Sequence, residues 1–154
     1  MSILEIDDLH TEIRLKSEIV RAVAGVSLSI AAGETLGLVG ESGCGKSMTA
    51  MSVMKLLPTG GRICSGAIRL NGRDLVPLSD DEMRSVRGGE VAVIFQDPLT
   101  SLNPTMTVGR QIEETLRIHR GTPHNEARVR AIEVLGHVGM PRPEQRVDDY
   151  PHQL

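Results

Sequence analysis

Apolar and polar residues alternate along much of the first seventy positions, with the two-residue period of a β-strand that buries one face. Residues 3–9, 19–30 and 67–70 show this alternation. The third run is followed at once by Asn71 and Gly72, a pair typical of a two-residue hairpin turn. The pattern predicts a small antiparallel sheet in this part of the chain.

Two other apolar runs are continuous rather than alternating. Residues 35–39 and 91–95 are short and almost wholly apolar, which is typical of strands buried on both faces in an α/β core. Residues 48–57 follow the first of these runs and predict a helix that Pro58 stops. Residues 79–82 form a capping box, which predicts a short helix ending near position 88.

The periodicity changes after position 104. Val108, Ile112 and Leu116 recur at helical spacing, and Asn125 is placed to cap a second helix that ends at Gly139. We therefore expect a separate helical lobe in this part of the chain.

Composition limits the class of protein. A length of 154 residues favours one domain, and 40% hydrophobic residues suffice for a core, which must be aliphatic because Phe95 and Tyr150 are the only aromatic residues. The net charge of −3 argues against a general nucleic-acid-binding surface. No apolar run approaches the length of a transmembrane helix, and the N-terminus lacks the pattern of a signal peptide.

The strongest chemical signal lies between the first continuous apolar run and the helix after it. Residues 40–47 read Gly-Glu-Ser-Gly-Cys-Gly-Lys-Ser, the phosphate-binding P-loop pattern. The glycines let successive N–H groups point at phosphate oxygens, and the helix adds its positive N-terminal end. Lys46 is expected at the β- and γ-phosphates and Ser47 at Mg²⁺. The expected nucleotide-binding residues are Gly40, Glu41, Ser42, Gly43, Cys44, Gly45, Lys46, Ser47 and Met48.

Cys44 lies inside this loop at a helix N-terminus, where the pKa of a thiol tends to fall. The favoured interpretation is a small residue that the loop tolerates. The alternative is a reactive thiol whose alkylation blocks nucleotide binding.

A second segment is more specific than the P-loop. The apolar run 91–95 leads into Gln-Asp-Pro-Leu-Thr-Ser-Leu-Asn-Pro at 96–104. Together with the P-loop and the opening Arg-Ala-Val-Ala-Gly-Val-Ser at 21–27, it resembles the nucleotide-binding subunits of ABC transporters, especially the dipeptide, oligopeptide and nickel import subfamily. The resemblance runs across essentially the whole chain.

The resemblance implies a fold and a division of the chain. The fold is an α/β P-loop NTPase core of the ABC ATPase type, with an N-terminal antiparallel β subdomain and the start of an α-helical subdomain. Residues 1–104 would hold the β subdomain and the core through the Q-loop, and 105–154 the start of the helical part. The resemblance gives Gln96 the role of the Q-loop residue, which ligates Mg²⁺ or positions the attacking water beside the catalytic Lys46.

The family also implies ligands, partners and a location. ATP and Mg²⁺ would bind the loop, and ATP hydrolysis would drive import of peptides or nickel at the cytoplasmic face of the membrane. The expected partners are transmembrane permease subunits, a second ATPase subunit in a homo- or heterodimer and, indirectly, an external solute-binding protein. No nucleic-acid partner is expected.

Two departures from the family pattern matter. Alignment puts Ile13 where the family has an aromatic residue stacked on adenine. The chain also stops at Leu154, on the approach to the Ser-Gly-Gly signature, so the C-terminal half of the fold would be missing. We therefore expect an N-terminal fragment that binds MgATP without turnover.

Other functions remain as alternatives. A soluble ABC-type ATPase that is not linked to transport would share the P-loop, but the segment 96–104 argues against it. A P-loop nucleotide kinase or GTPase would need a base-recognition motif or an acceptor site, and the sequence shows neither.

Overall fold

The structure is a computed structural model that describes residues 2–95 and 101–154. It divides into two compact units, Met1–Arg87 and Gly88–Leu154. The division of the chain at position 104 stays a prediction.

The first unit is built on a four-stranded antiparallel sheet. The strands are β1 (Ser2–Arg14), β2 (Ile19–Ala31), β3 (Gly61–Leu70) and β4 (Arg73–Asp74), in the spatial order β2-β1-β3-β4. The two alternating N-terminal runs are thus strands, as predicted. The β3–β4 turn is the predicted Asn-Gly pair, in which both residues have a positive φ angle.

Two helices complete the first unit. Helix α1 (Lys46–Val53) contacts β1 and β2. Helix α2 (Asp80–Val86) begins with the predicted capping box, in which Ser79 and Glu82 each accept a hydrogen bond from the other's backbone N–H. The buried apolar side chains of this unit come from the sheet, from both helices, and from Met54 and Leu75.

The second unit is helical. It contains α3 (Val108–Arg120), α4 (His124–His137), the short α5 (Pro143–Arg146) and a 3₁₀ turn at Pro151–Gln153. Its core is formed by Val108, Ala131, Leu135 and Val147, with Ile112, Ile132 and Met140 packed against them.

The two predicted buried strands are wrong in this structure. Residues 35–39 carry no strand assignment and are exposed throughout, and of residues 91–95 only Val91 makes a β-bridge. Val39 is 91% exposed and Ile94 is 93% exposed. A strand of this type is stabilised by neighbours on both edges and both faces. Within the described ranges 2–95 and 101–154, the sheet consists of other strands.

Two predicted helix ends also need correction. Helix α1 ends at Val53 rather than at position 57, because Lys55 adopts a left-handed conformation that ends the helix before Pro58 is reached. Helix α4 begins one residue before Asn125, and its N-cap residue is Pro123, so Asn125 lies within the first turn. Across the described residues, none of the helices has the length and apolar character to span a membrane.

Candidate functional site

The P-loop turns sharply into helix α1 because two of its glycines adopt left-handed backbone angles. Gly43 has φ +83° and Gly45, the N-cap residue of α1, has φ +96°, a region that other residues seldom enter. Thr49 closes the first helical turn: both its N–H (2.8 Å) and its hydroxyl (3.1 Å) donate to the Gly45 carbonyl. The first N–H groups of α1, which have no intrahelical partner, therefore begin directly at the loop.

Lys46 folds back over this loop. Its ammonium donates to the carbonyl of Gly40 (2.7 Å) and to the carbonyl of Glu41 (2.5 Å), and it lies 3.3 Å from the Cys44 sulfur. The loop thus holds one positive charge on its inner side, next to the positive end of the helix. Such an arrangement favours the binding of an anion.

The pKa of the Cys44 thiol responds to the positive charge of Lys46. The side chain is exposed, yet the pKa of the thiol is lowered, above all because the Lys46 side chain donates to the sulfur. Donation from the backbone N–H of Lys46 lowers the pKa further, while partial desolvation opposes it. A negative charge is therefore stabilised beside Lys46.

Two glycines of the loop lie where a side chain would collide with neighbouring atoms. A Cβ atom on Gly40 would lie 2.7 Å from the Cys44 sulfur and 3.9 Å from the Lys46 ammonium. A Cβ atom on Gly45 would lie 2.5 Å from the backbone carbonyl oxygen of Ala22 in β2. With its ammonium and the helix N-terminus, the loop fits a phosphate chain.

The far end of α1 is held by two basic side chains. Arg87 donates to the carbonyls of Met54 (2.8 Å) and Lys55 (3.1 Å), and Lys55 donates to the carbonyls of Val76 (2.9 Å) and Leu78. Positive charge at a helix C-terminus is favourable, and both contacts tie α1 to the segment around α2. Neither residue was singled out from the sequence, because each reaches carbonyls more than twenty positions away along the chain and no local pattern marks such a contact.

The predicted site residues are only partly assembled by the structure. The nine residues 40–48 form one continuous loop and helix start, and Ser47 is exposed in the first turn of α1. Gln96, expected to share Mg²⁺ with Ser47, lies outside the described residues. Ile13 is half-buried in β1, paired with Val20 and Gly61.

The metal assignment stays a prediction. Among the side chains that the structure describes, no group of three or more His, Cys, Asp or Glu residues is placed to hold a metal ion. The Ser47 hydroxyl is a hard oxygen donor at the helix start, which suits one position of a Mg²⁺ shell.

Comparison with known proteins places this loop in a family. A family model described as "ABC transporter" matches residues 23–154. The oligopeptide transport ATP-binding protein OppD of Bacillus subtilis is 49% identical over 99% of this chain and 43% of its own length. The dipeptide transport ATP-binding protein DppD of Escherichia coli is 46% identical over all of this chain and 47% of its own length. The chain thus spans less than half the length of these relatives.

Solved structures agree with the sequence comparison. The dimeric structure of MJ0796, a bacterial ABC transporter cassette, matches with a TM-score of 0.83 and 25% identity, over 98% of this chain and 62% of that one. A structure of the same cassette in a post-hydrolysis state bound to ADP and Pi matches with a TM-score of 0.80. The resemblance drawn from residues 40–47 and 96–104 is confirmed, as is the fold class. This chain belongs to the ABC transporter family and has part of the ABC ATPase fold.

Proposed function

We propose that this chain is the ATP-binding part of an ABC importer ATPase subunit that drives peptide uptake. The observation that carries the proposal is the placement of the Lys46 ammonium across the P-loop, within 2.7 Å of the Gly40 carbonyl and 3.3 Å of the Cys44 sulfur. The names of the relatives, oligopeptide and dipeptide transport ATP-binding proteins, support peptides as the cargo and favour them over nickel.

Different groups of the loop bind different parts of the triphosphate. The Lys46 ammonium has three donors and exchanges loop carbonyls for the oxygens of the β- and γ-phosphates. The N–H groups at the start of α1 donate to the same phosphate chain, helped by the helix dipole. Ser47 and Gln96 would ligate Mg²⁺, which supplies charge neutralisation at the phosphate oxygens when it is bound.

The remaining parts of the proposal come from the family. Transmembrane permease subunits, a second ATPase subunit and, indirectly, an external solute-binding protein are the proposed partners, at the cytoplasmic face of the membrane. Hydrolysis belongs to the whole subunit. The polypeptide 1–154 by itself contains no Ser-Gly-Gly segment, and we propose that it binds MgATP without turnover. A soluble ABC-type ATPase is less favoured, since both named relatives are transport proteins.

The test is the affinity for MgATP measured by calorimetry. Lys46→Ala removes a charge-assisted contact worth about 1.5–3 kcal/mol, so the affinity should fall about ten- to a hundredfold. Arg130→Ala is the matched control, because it removes an exposed positive charge that pairs with Glu133 in the other unit. Equal affinities for wild type and Lys46→Ala would refute phosphate binding at this loop.

A further inference from the structure

An irregularity in the sheet lies directly behind the P-loop. Along β1 and β2, Thr11 pairs with Val23 and Glu12 pairs with Arg21, so the register skips Ala22. The skipped residue is the one whose carbonyl oxygen would lie 2.5 Å from a Cβ atom on Gly45. A β-bulge redirects the strand at this point, and bulges of this kind often lie beside functional sites. The bulge therefore sets the backbone of β2 against the N-cap of α1.

A buried hydroxyl pair joins β1 to the other end of α1. The Thr11 and Ser52 oxygens are 2.8 Å apart, and both residues are fully buried. Ser52 donates its one hydroxyl hydrogen to the Met48 carbonyl (2.7 Å). Thr11 is therefore the donor of the bond between the two hydroxyls.

The two contacts hold α1 at both ends. Gly45 and Ser52 are seven residues apart, which is about 10 Å along a helix. Apolar packing leaves a two-turn helix free to rotate slightly about its axis, whereas a hydrogen bond is directional. The close approach of the Ala22 carbonyl to Gly45 limits the tilt of α1, and the directed bond at Ser52 limits its rotation.

We propose that Thr11 and Ser52 are positioning residues for the phosphate-binding loop. The proposal rests on the proposed function of that loop. The hydrogen bond donated by Thr11 sets the rotation of α1, and α1 carries Lys46, Ser47 and the N–H groups that meet phosphate. Loss of the Thr11 hydroxyl lets the loop donors lose their common alignment, so phosphate binding weakens although no phosphate-contacting residue has changed.

The clean perturbation is Thr11→Val, which removes the donor but leaves the Ser52–Met48 bond in place. We expect MgATP affinity to fall about three- to tenfold, as for the loss of one neutral hydrogen bond. Thr11→Ser keeps the hydroxyl and should bind within about twofold of wild type. Ile68→Val is the control for general destabilisation, because it trims a fully buried side chain of β3, a strand that does not carry the P-loop. It should bind MgATP as wild type does.

Hydrogen exchange measured by mass spectrometry gives a second readout that needs no nucleotide. Amides of residues 45–49 should exchange faster in Thr11→Val than in wild type, and their exchange rates should be unchanged in Ile68→Val. Wild-type affinity and exchange in Thr11→Val would overturn the positioning role. A loss of affinity and of protection in Ile68→Val equal to that in Thr11→Val would also overturn it. Absence of MgATP binding to the wild type would instead refute the proposed function, and the exchange experiment would still decide the role of Thr11. If Thr11→Val does not fold, Ser52→Ala is used with the same two readouts and the same expected directions.

Discussion

Two glycines of the P-loop offer a matched pair of substitutions. Gly43 and Gly45 both have left-handed backbone angles, at φ +83° and +96°. They differ in their surroundings: among the described residues, a Cβ atom on Gly43 meets nothing within 4 Å, while one on Gly45 lies 2.5 Å from the Ala22 carbonyl oxygen. Replacing each with alanine therefore separates the backbone strain from the steric clash.

The structure gives the expected magnitudes. Both substitutions place a non-glycine residue in a left-handed conformation, which costs about 1–2 kcal/mol. Gly45→Ala adds a clash with the Ala22 carbonyl oxygen near the start of β2, and this backbone atom is unable to rotate away as a flexible side chain would. Overpacking of this kind costs about 1–3 kcal/mol. We expect Gly43→Ala to lower the free energy of unfolding by about 1–2 kcal/mol and Gly45→Ala by about 2–5 kcal/mol.

Urea unfolding followed by far-ultraviolet circular dichroism measures these changes, since the chain has no tryptophan. Calorimetry with MgATP supplies the second measurement, in which Gly45→Ala should lose more affinity because the N-cap of α1 is displaced. Equal losses of stability for the two variants would show that β2 yields at Ala22 without cost. That result would refute the close support of the loop by the sheet.

Three further predictions concern the same unit. The pKa of Cys44 is lowered, whereas desolvation raises the pKa of Cys64. Iodoacetamide should therefore begin to alkylate Cys44 at a lower pH than Cys64. Lys46→Ala should move the Cys44 profile to higher pH, and MgATP should slow alkylation of Cys44 but not of Cys64; identical profiles for the two thiols would contradict this. Ile13→Tyr should tighten ATP binding several-fold in calorimetry, because base stacking is worth about 1–3 kcal/mol; unchanged affinity would count against the alignment. Phosphate release by polypeptide 1–154 should show no Lys46-dependent rate, whereas a Lys46-dependent rate of about 1 s⁻¹ or more would refute this prediction.

The elements that were predicted well are those whose cause lies within a few residues. The Asn71–Gly72 pair gives its turn because both positions adopt positive φ angles, which these residue types accept. The Ser79–Glu82 capping box satisfies N–H groups within its own first turn. Gly43 acts through its own backbone angle, since within the described part of the chain a Cβ atom placed on it meets nothing within 4 Å. Such features need no tertiary partner, so the sequence pattern is sufficient.

The elements that were predicted poorly depend on distant partners. Residues 35–39 and 91–95 have the composition of strands buried on both faces, but composition does not supply the neighbouring strands that such burial requires. The sequence predicts that helix α1 continues to position 57, because apolar residues continue beyond Val53. Its end is instead set by the left-handed Lys55 and by Arg87, which donates to the carbonyls of Met54 and Lys55 just past the helix.

The candidate site combines these two kinds of cause. The pattern at 40–47 predicts the loop and its chemistry, because the donors and the turn are local. Thr11 reads in the sequence as an ordinary polar residue of a strand, and Ser52 as an ordinary polar residue of a helix. Their importance appears only when β1 and α1 are packed, since both hydroxyls then become buried and each needs a partner. A phosphate-binding motif thus identifies the atoms that meet the ligand, whereas the alignment of those atoms depends on strand and helix positions that no local pattern marks.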